Sequence, residues 1–410
     1  MSKVFNIQNF ILLSFLLFAC YPAFPNLAIR GIVVSLFTLS QFVVYFRTKP
    51  AAKQSWYFWL FAAHFLLCLL SLTYTDDLHE GWKNLERILT LFLIPLVLFL
   101  NRRLITKSLF EKVMTIYAGS CVILALYSSA TVIFLAISRS ESSYYFIRTT
   151  LENASAMHPT YFSLTVAIAL LYIVTRLFIE GLPLKKRMLY AFSIFILAIS
   201  LFIASSKMIL LSTFIGLVFI LSKYIKIQKL AIVLPVMIAL IGIAVVTIKP
   251  LNERLSEFYH AISSTEIDKK NPDSIRKVIY RNSVSAIQDH LWFGAGIGDK
   301  SNVLNSYYLK DGQTKAYKSN YNTHSQYLET TLAAGILALF ALLASLISSI
   351  YIGIKQKFTL LTAIGIMYAL SFISEAILAR QDGVFSYAFF TSFLVYYTWN
   401  EKKQSTTQLT

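Results

Sequence analysis

One histidine, His324, stands in the stretch Tyr321-Asn322-Thr323-His324-Ser325-Gln326-Tyr327-Leu328, where a long polar segment gives way to an apolar run. A histidine at such a boundary can meet a membrane-embedded molecule and a water-soluble one together. Its unperturbed pKa of about 6.5 lets the neutral ring take up a proton near neutral pH. Polar groups at membrane depth usually mark a functional path, so position rather than residue type singles out His324 as a candidate general base. Asn322, just ahead of it, and Tyr327, one helical turn on, are placed to support the ring.

A second set of residues is cationic. Arg87 lies in Asn84-Leu85-Glu86-Arg87, Lys207 in the tight turn Ala204-Ser205-Ser206-Lys207, and Arg380 in Ala379-Arg380-Gln381-Asp382. Arg276 and Arg281 lie in the polar segment ahead of His324. Taken singly, each reads as a long side chain reaching for the headgroups. Together they charge one face of the membrane against the usual trend, and such a set suits a diphosphate. His158, in His158-Pro159-Thr160-Tyr161, adds a second histidine with helix-cap character. The mid-span His64 reads as a packed or hydrogen-bonded residue. No His, Cys, Asp and Glu group has metal-ligand spacing, and there is no Gly-Lys-Ser/Thr phosphate loop. Gly294-Ala295-Gly296-Ile297-Gly298 has no strand ahead of it, so it reads as a tight turn, not a dinucleotide loop. Neither a metal nor a nucleotide cofactor is expected.

The elements that must hold these residues are membrane helices. The chain is 57% hydrophobic and only 14% charged, with a mean hydropathy of +0.62; a soluble domain carries about a quarter charged residues. Apolar runs of the roughly 17–25 residues that cross a bilayer recur along nearly the whole length. The expected fold is an all-α polytopic membrane protein with about twelve spans. They lie near 6–22, 28–46, 57–74, 86–101, 113–137, 159–177, 188–204, 208–222, 230–248, 326–353, 358–376 and 384–399. Residues 1–248 then hold the first nine spans, 249–324 a long, partly helical periplasmic loop, 325–399 the last three, and 400–410 a disordered cytoplasmic tail.

Alternate connections carry the Lys and Arg, as in Arg102, Arg103 and Lys107 or Lys185, Lys186 and Arg187. By the positive-inside rule both termini are cytoplasmic and His324 faces the other side. The same rule accounts for the net charge of +17, so no nucleic-acid partner is expected. Cys20, Cys68 and Cys121 all fall in apolar runs and read as small hydrophobes. Within the loop, Leu251, Leu255, Phe258, Tyr259 and Ile262 have helical spacing. A second loop helix is expected from Asn271-Pro272-Asp273-Ser274, with Asp273 or Ser274 as its cap.

These residues resemble the O-antigen ligase and polymerase superfamily of bacterial inner-membrane glycosyltransferases. The resemblance covers most of the chain. It rests on the order of Arg87, the turn before the eighth span, Arg276 followed by Phe293-Gly294-Ala295-Gly296-Ile297-Gly298, and His324-Ser325-Gln326-Tyr327-Leu328 leading to Gly335. Two positions depart from the family pattern: Ser206-Lys207 stands where Ser-Arg is usual, and Tyr280 where the loop helix usually carries Trp. The resemblance implies an inverting transfer of a glycan from undecaprenyl pyrophosphate to an acceptor hydroxyl, with lipid A–core as the ligase acceptor. A repeat-unit polymerase and a protein oligosaccharyltransferase share that donor chemistry. In this reading His324 is the base, and Arg87, Lys207, Arg276, Arg281 and Arg380 hold the diphosphate. Asn322, Tyr327, His158 and Tyr280 support them. A transporter of the same lipid-linked glycan would place charges deep in broken spans, whereas here they gather at one face.

Overall fold

In a computed structural model of the chain, the described residues are 7–24, 26–49, 56–179, 181–247, 252, 253, 256, 259 and 272–407. They are helical, with no strand among them. First come α1 (Ile7–Ala19), α2 (Leu27–Thr48), α3 (Trp56–Leu70), α4 (Leu78–Ile88), α5 (Thr90–Leu100) and α6 (Lys107–Arg139). Next are α7 (Tyr144–Ser155), α8 (Pro159–Leu177), α9 (Leu184–Ala204), α10 (Lys207–Tyr224) and α11 (Ile227–Thr247). Then follow α12 (Pro272–Asp289), α13 (Lys300–Lys310), α14 (Thr314–Lys318), α15 (Gln326–Lys355), α16 (Thr359–Ser374) and α17 (Gln381–Thr407).

Seven described helices are long and apolar enough to cross a membrane: α2, α3 with its 3-10 extension to Tyr74, α6, α8, α9, α10 and α15. The expectation of twelve spans thus rests in part on stretches that fall short. α1 and α16 are apolar but brief. The fourth expected span is parted at Leu89 into α4 and α5. Arg87 therefore sits in the last turn of a separate helix, not at the start of a span. Two further expectations shift, and the connection between the fifth and sixth expected spans holds a helix of its own. The segment 138–158 contains α7, capped by Ser143, whose hydroxyl takes the Phe146 amide at 3.3 Å. α12 already includes Pro272, which as a first-turn proline needs no amide, so its cap lies ahead of Asp273. α17 continues past Trp399 to Thr407, so the tail is helical up to that residue. The helical pattern read from Leu251 to Ile262 lies almost wholly outside the described residues.

α8 and α17 form the centre of the bundle, buried from Pro159 to Val174 and from Val384 to Tyr397. Aromatic rings carry much of this packing. Phe389 stacks on Phe18 at 3.9 Å between centroids, and Tyr397 on Phe110 at 4.1 Å. The outer helices expose large apolar side chains such as Leu36, Phe46, Ile137 and Phe192. An exposed apolar surface of this extent requires an apolar medium. Connectivity also sorts the charges: α8, α10 and α15 begin at the end where α9 and α16 finish. Arg176, Lys185, Lys186, Arg187, Lys223 and Lys355 lie at the opposite helix ends.

Two polar anchors hold the frame. Arg30 is fully buried, and its guanidinium forks onto both Asp382 oxygens at 3.0 and 3.1 Å. It also donates to the carbonyls of Phe24 and Ala156 at 3.0 and 2.7 Å, tying α2 to α17 and to the residues just before α8. The second anchor is a break in α15 at Ala334 and Gly335, where Gly335 has φ 80° and ψ −177°. The break frees the Leu332 carbonyl and the Ile336 amide. The glycine-rich turn takes up both, with the Ala295 amide donating to Leu332 at 2.7 Å and the Ile336 amide donating to the Leu291 carbonyl at 2.9 Å. Irregular backbone at membrane depth persists only when its polar groups are satisfied within the protein.

A Cβ built on Gly335 would stand 2.1 Å from the Trp292 carbonyl oxygen, whereas one on Gly31 in α2 would meet nothing within 4 Å. Gly335→Ala should therefore destabilise the detergent-solubilised protein by at least roughly 1–3 kcal/mol, the cost of a strained backbone. Gly31→Ala should be neutral or stabilising by up to about 1 kcal/mol. Thermal unfolding of the two variants against the parent checks the opposite signs.

Candidate functional site

A cavity of ≈310 Å³ opens where α8 and α10 begin. α8 supplies His158, Pro159 and Thr160, and the α9–α10 turn supplies Ser205, Ser206 and Lys207. Ser205 takes the left-handed backbone, φ 51°, that reverses the chain there. α12 contributes Ile275, Arg276 and Ile279; α7 contributes Tyr144 and Arg148; Lys315, Tyr321, His324 and Glu375 complete the wall. Among the described residues of the lining, four cations thus face one carboxylate, Glu375, which bonds Arg276 at 3.0 Å. Two helix N-termini add their positive dipole ends. Such a cavity favours an anion.

His324 sits on a constrained turn. Its φ is 50°, uncommon for any residue with a Cβ. Its amide donates to the Asn322 side-chain oxygen at 3.1 Å, and the Tyr280 hydroxyl approaches its carbonyl at 3.4 Å. On one side Thr323 lies with its hydroxyl 2.9 Å and its amide 3.3 Å from the Glu329 carboxylate. Glu329 in turn receives the Lys300 ammonium of α13. On the other side the Ser325 hydroxyl donates to the Phe372 carbonyl at 3.2 Å, and the Gln326 side-chain oxygen accepts the Leu378 amide at 2.7 Å. A backbone held in a sparsely populated region persists only when its surroundings over-determine it, and here α12, α13, α15 and α16 do so.

Electrostatics set the ring's state. Burial, then the nearby Arg276 and Arg148, push the His324 pKa down to about 4 against an opposing pull from Glu329. The ring is therefore neutral at pH 7 and able to accept a proton. His158 is pushed down to about 3 by burial, then by Arg148, Arg380 and His324. Its Nε2 takes a hydrogen bond from Arg148 at 2.6 Å. A neutral imidazole accepts at only one nitrogen, so the longer approach of the Thr160 amide to Nδ1, at 3.4 Å, is the weaker contact. His158 thus positions Arg148 and leaves His324 as the ring available for proton transfer.

Of the residues expected from sequence, His324, His158, Lys207 and Arg276 meet in this cavity. Arg87 and Arg380 do not; they line a neighbouring cavity of ≈210 Å³ that shares His158. Arg281 is absent from both linings. It is more than half exposed and pairs with Asp311, because it follows Arg276 on α12 by five residues and so leaves that face. Asn322 and Tyr280 hold the backbone of His324, and the Tyr327 hydroxyl donates to the Ala369 carbonyl of α16 at 2.8 Å. Sequence reading missed Arg148, Lys315, Glu375 and the buried Arg30. Arg148 was legible once Ser143 was seen as a cap followed by Ile147 and Leu151 on one face. Lys315 carried no signal among the many Lys of its segment.

The Glu329–Lys300 pair is largely buried, with side chains 9% and 13% exposed. Glu329→Gln leaves the Lys300 charge without its partner, which costs roughly 3–5 kcal/mol for a buried pair, and loosens Thr323 beside His324. Thermal unfolding should show that loss. Restoring neutrality in Glu329→Gln/Lys300→Met should recover most of the stability.

The comparisons with known proteins bear on this stretch of the chain. A search of the curated proteins finds no match. The family model described as O-antigen ligase matches residues 192–343, from α9 through the break in α15, and so takes in Lys207, Arg276 and His324. Over that stretch the chain is similar to the O-antigen ligase family, which supports a place in the O-antigen ligase and polymerase superfamily.

Proposed function

We propose that the protein is an O-antigen ligase-like enzyme that moves a glycan from undecaprenyl pyrophosphate to an acceptor sugar hydroxyl, with lipid A–core as the acceptor. The observation that carries this reading is a neutral His324 facing Lys207, Arg276 and Arg148 across one cavity. The acceptor oxygen attacks the anomeric carbon while its proton passes to the His324 imidazole. The bond from that carbon to the diphosphate oxygen breaks, and the electron pair leaves with the diphosphate. Attack opposite the leaving group inverts the anomeric centre.

Fixed cations and helix N-termini stabilise charge on the departing diphosphate, an effect that strengthens in a water-poor site. No nucleotide is required, because the donor already carries its leaving group. Lys207 supplies charge as a point ammonium and not as a two-pronged guanidinium; Arg276 and Arg148 supply the forks. The positive-inside rule places the Lys-rich helix ends in the cytoplasm, and hence this cavity at the periplasmic face of the inner membrane, with both termini cytoplasmic.

The acid limb of the pH profile follows from the cavity's charge. His324 works as a base only when deprotonated, so activity falls as pH drops through its pKa. In the free enzyme that pKa is about 4. A bound diphosphate offsets Arg276 and Arg148 and lets it rise. Since kcat/KM reports the free enzyme and kcat the complex, the acid limb of kcat/KM should lie near pH 4 and that of kcat at higher pH. Coincident limbs near 6.5 would remove the argument.

His324→Ala should lower glycan transfer by roughly 10²–10⁴-fold, the range for a general base, with the folded protein retained. Release of undecaprenyl pyrophosphate from lipid-linked glycan by the purified protein is the readout. Near-parental turnover in His324→Ala would rule out the assigned role. In a deletion strain, bare core with long polymer stranded on the carrier supports the ligase. Core bearing a single repeat identifies a polymerase instead, and lost protein glycans an oligosaccharyltransferase.

A further inference from the structure

We propose that the ≈210 Å³ cavity on the far side of His158 is a second anion site, one that holds a phosphate group of the membrane-borne acceptor. This deepens the transferase reading and rests on it for the word acceptor; the anion site itself rests on the residues of that cavity.

Arg87 and Arg380 are the cations that matter there. One Arg87 nitrogen donates to the neutral Asn84 side chain at 2.7 Å. Asn84 is fixed in turn by its bond to the Ile297 carbonyl at 3.1 Å, so the glycine-rich turn sets the direction of Arg87. Arg380 lies on the extended link between α16 and α17, its guanidinium carbon 5.9 Å from the centre of the Tyr161 ring. Among the described residues neither guanidinium takes part in a salt bridge. Asp382 lines the same cavity, but Arg30 occupies both its oxygens. Glu152 is the other carboxylate among the described residues of the lining, so there three arginines face two acids and one positive charge is left over.

Why should this be a separate site and not a continuation of the first? His158 lines both cavities. Its ring is bonded on one side to Arg148 of the first, and it feels Arg380 of the second. A neutral ring in that wall adds no repulsion between the two cation sets. The donor diphosphate must lie where its sugar can meet His324, and His324 lines only the first cavity. A phosphate in the second cavity therefore belongs to another molecule. The cavities share one residue, so an acceptor whose reactive hydroxyl lies few bonds from its phosphate can occupy the second while its oxygen reaches the first. Ordinary phospholipid headgroups carry the same chemistry and are the competing source.

The test is binding of inorganic pyrophosphate to the purified full-length protein in detergent, followed by calorimetry. Two binding events are expected. Lys207→Ala/Arg276→Ala should weaken one by about tenfold or more, as loss of charge-assisted bonds predicts, and leave the other. Arg87→Ala/Arg380→Ala should do the reverse, and Arg87→Gln/Arg380→Gln should match it if the alanine pair unfolds. A single event weakened by either pair would overturn the proposal in favour of one continuous donor site. Phosphorylated lipid A–core should displace pyrophosphate from the second site, and phosphatidylglycerol at equal concentration should not. Equal displacement by both would make this a structural lipid site and overturn the acceptor assignment. Two separable events in a protein that transfers no glycan would leave the anion site standing and sink the transferase reading instead.

Discussion

A helix that breaks inside a bilayer must find partners for the backbone groups it frees, and α15 breaks at Ala334 and Gly335 a little over two turns beyond its first residue, at roughly 3.6 residues per turn. The partners come from the stretch Leu291 to Gly298, well back along the chain. That contact fixes more than the break. The turn also reaches α3 and α4, where the Ile297 amide meets the Ser71 hydroxyl and the Asp299 carboxylate receives the amides of Asp76 and Asp77 at 2.7 and 2.9 Å. α12 runs directly into it, and α13 leaves directly from it. Arg276 on α12 and Lys300 on α13 are therefore placed by the same backbone contact that closes the broken helix.

His324 inherits its geometry from this arrangement. Lys300 holds Glu329, Glu329 holds Thr323, and Thr323 immediately precedes the histidine. A loop residue placed by its own short-range turn could drift by an ångström with little cost. This one is fixed from four helices, and its left-handed backbone shows that the surroundings dictate its conformation. Arg30 does the equivalent service on the other side of the cavity. It fastens Ala156, two residues before His158, and Asp382, two residues after Arg380. Both walls of the candidate site are thus held by buried polar contacts, in which an unmatched partner would be costly.

The all-helical, multi-pass character was legible because apolar length reports on single helices. His324, Lys207 and Arg276 were legible for a related reason: each interrupts a pattern at a boundary. What could not be read was convergence. Arg87, Arg281 and Arg380 carry the same local signal as Arg276, yet Arg281 turns outward to Asp311 and the other two fall behind His158. Helix phase separates Arg281 from Arg276, and the packing of α4 and α17 around α8 sets the rest. Arg30 was hidden for the opposite reason. It lies inside an otherwise ordinary span, and its partner is more than three hundred residues away. The function of the glycine-rich turn was half visible: a tight turn against the membrane could be expected, but not the break in α15 that it completes.

The depressed pKa of His324 looks at first like a handicap for a base, since proton transfer is most effective when the pKa lies near the working pH. Burial lowers it most, but the cations that lower it further are those that would receive an anion in the proposed reaction, and the two effects are coupled through one field. With no ligand in the cavity, burial and the two arginines outweigh Glu329 at the ring, and the imidazole is neutral but weakly basic. In the proposed reaction a diphosphate placed among them would cancel much of that field, so the ring would gain basicity as the substrate arrives. Departure of the diphosphate then restores the field and favours release of the proton. Glu329 keeps the shift from going further, because its carboxylate opposes the arginines while remaining tied to Lys300 and Thr323 and out of the cavity's lining. A base placed on a neutral or acidic wall would lack this dependence, and so a histidine among arginines is suited to an enzyme whose leaving group is an anion.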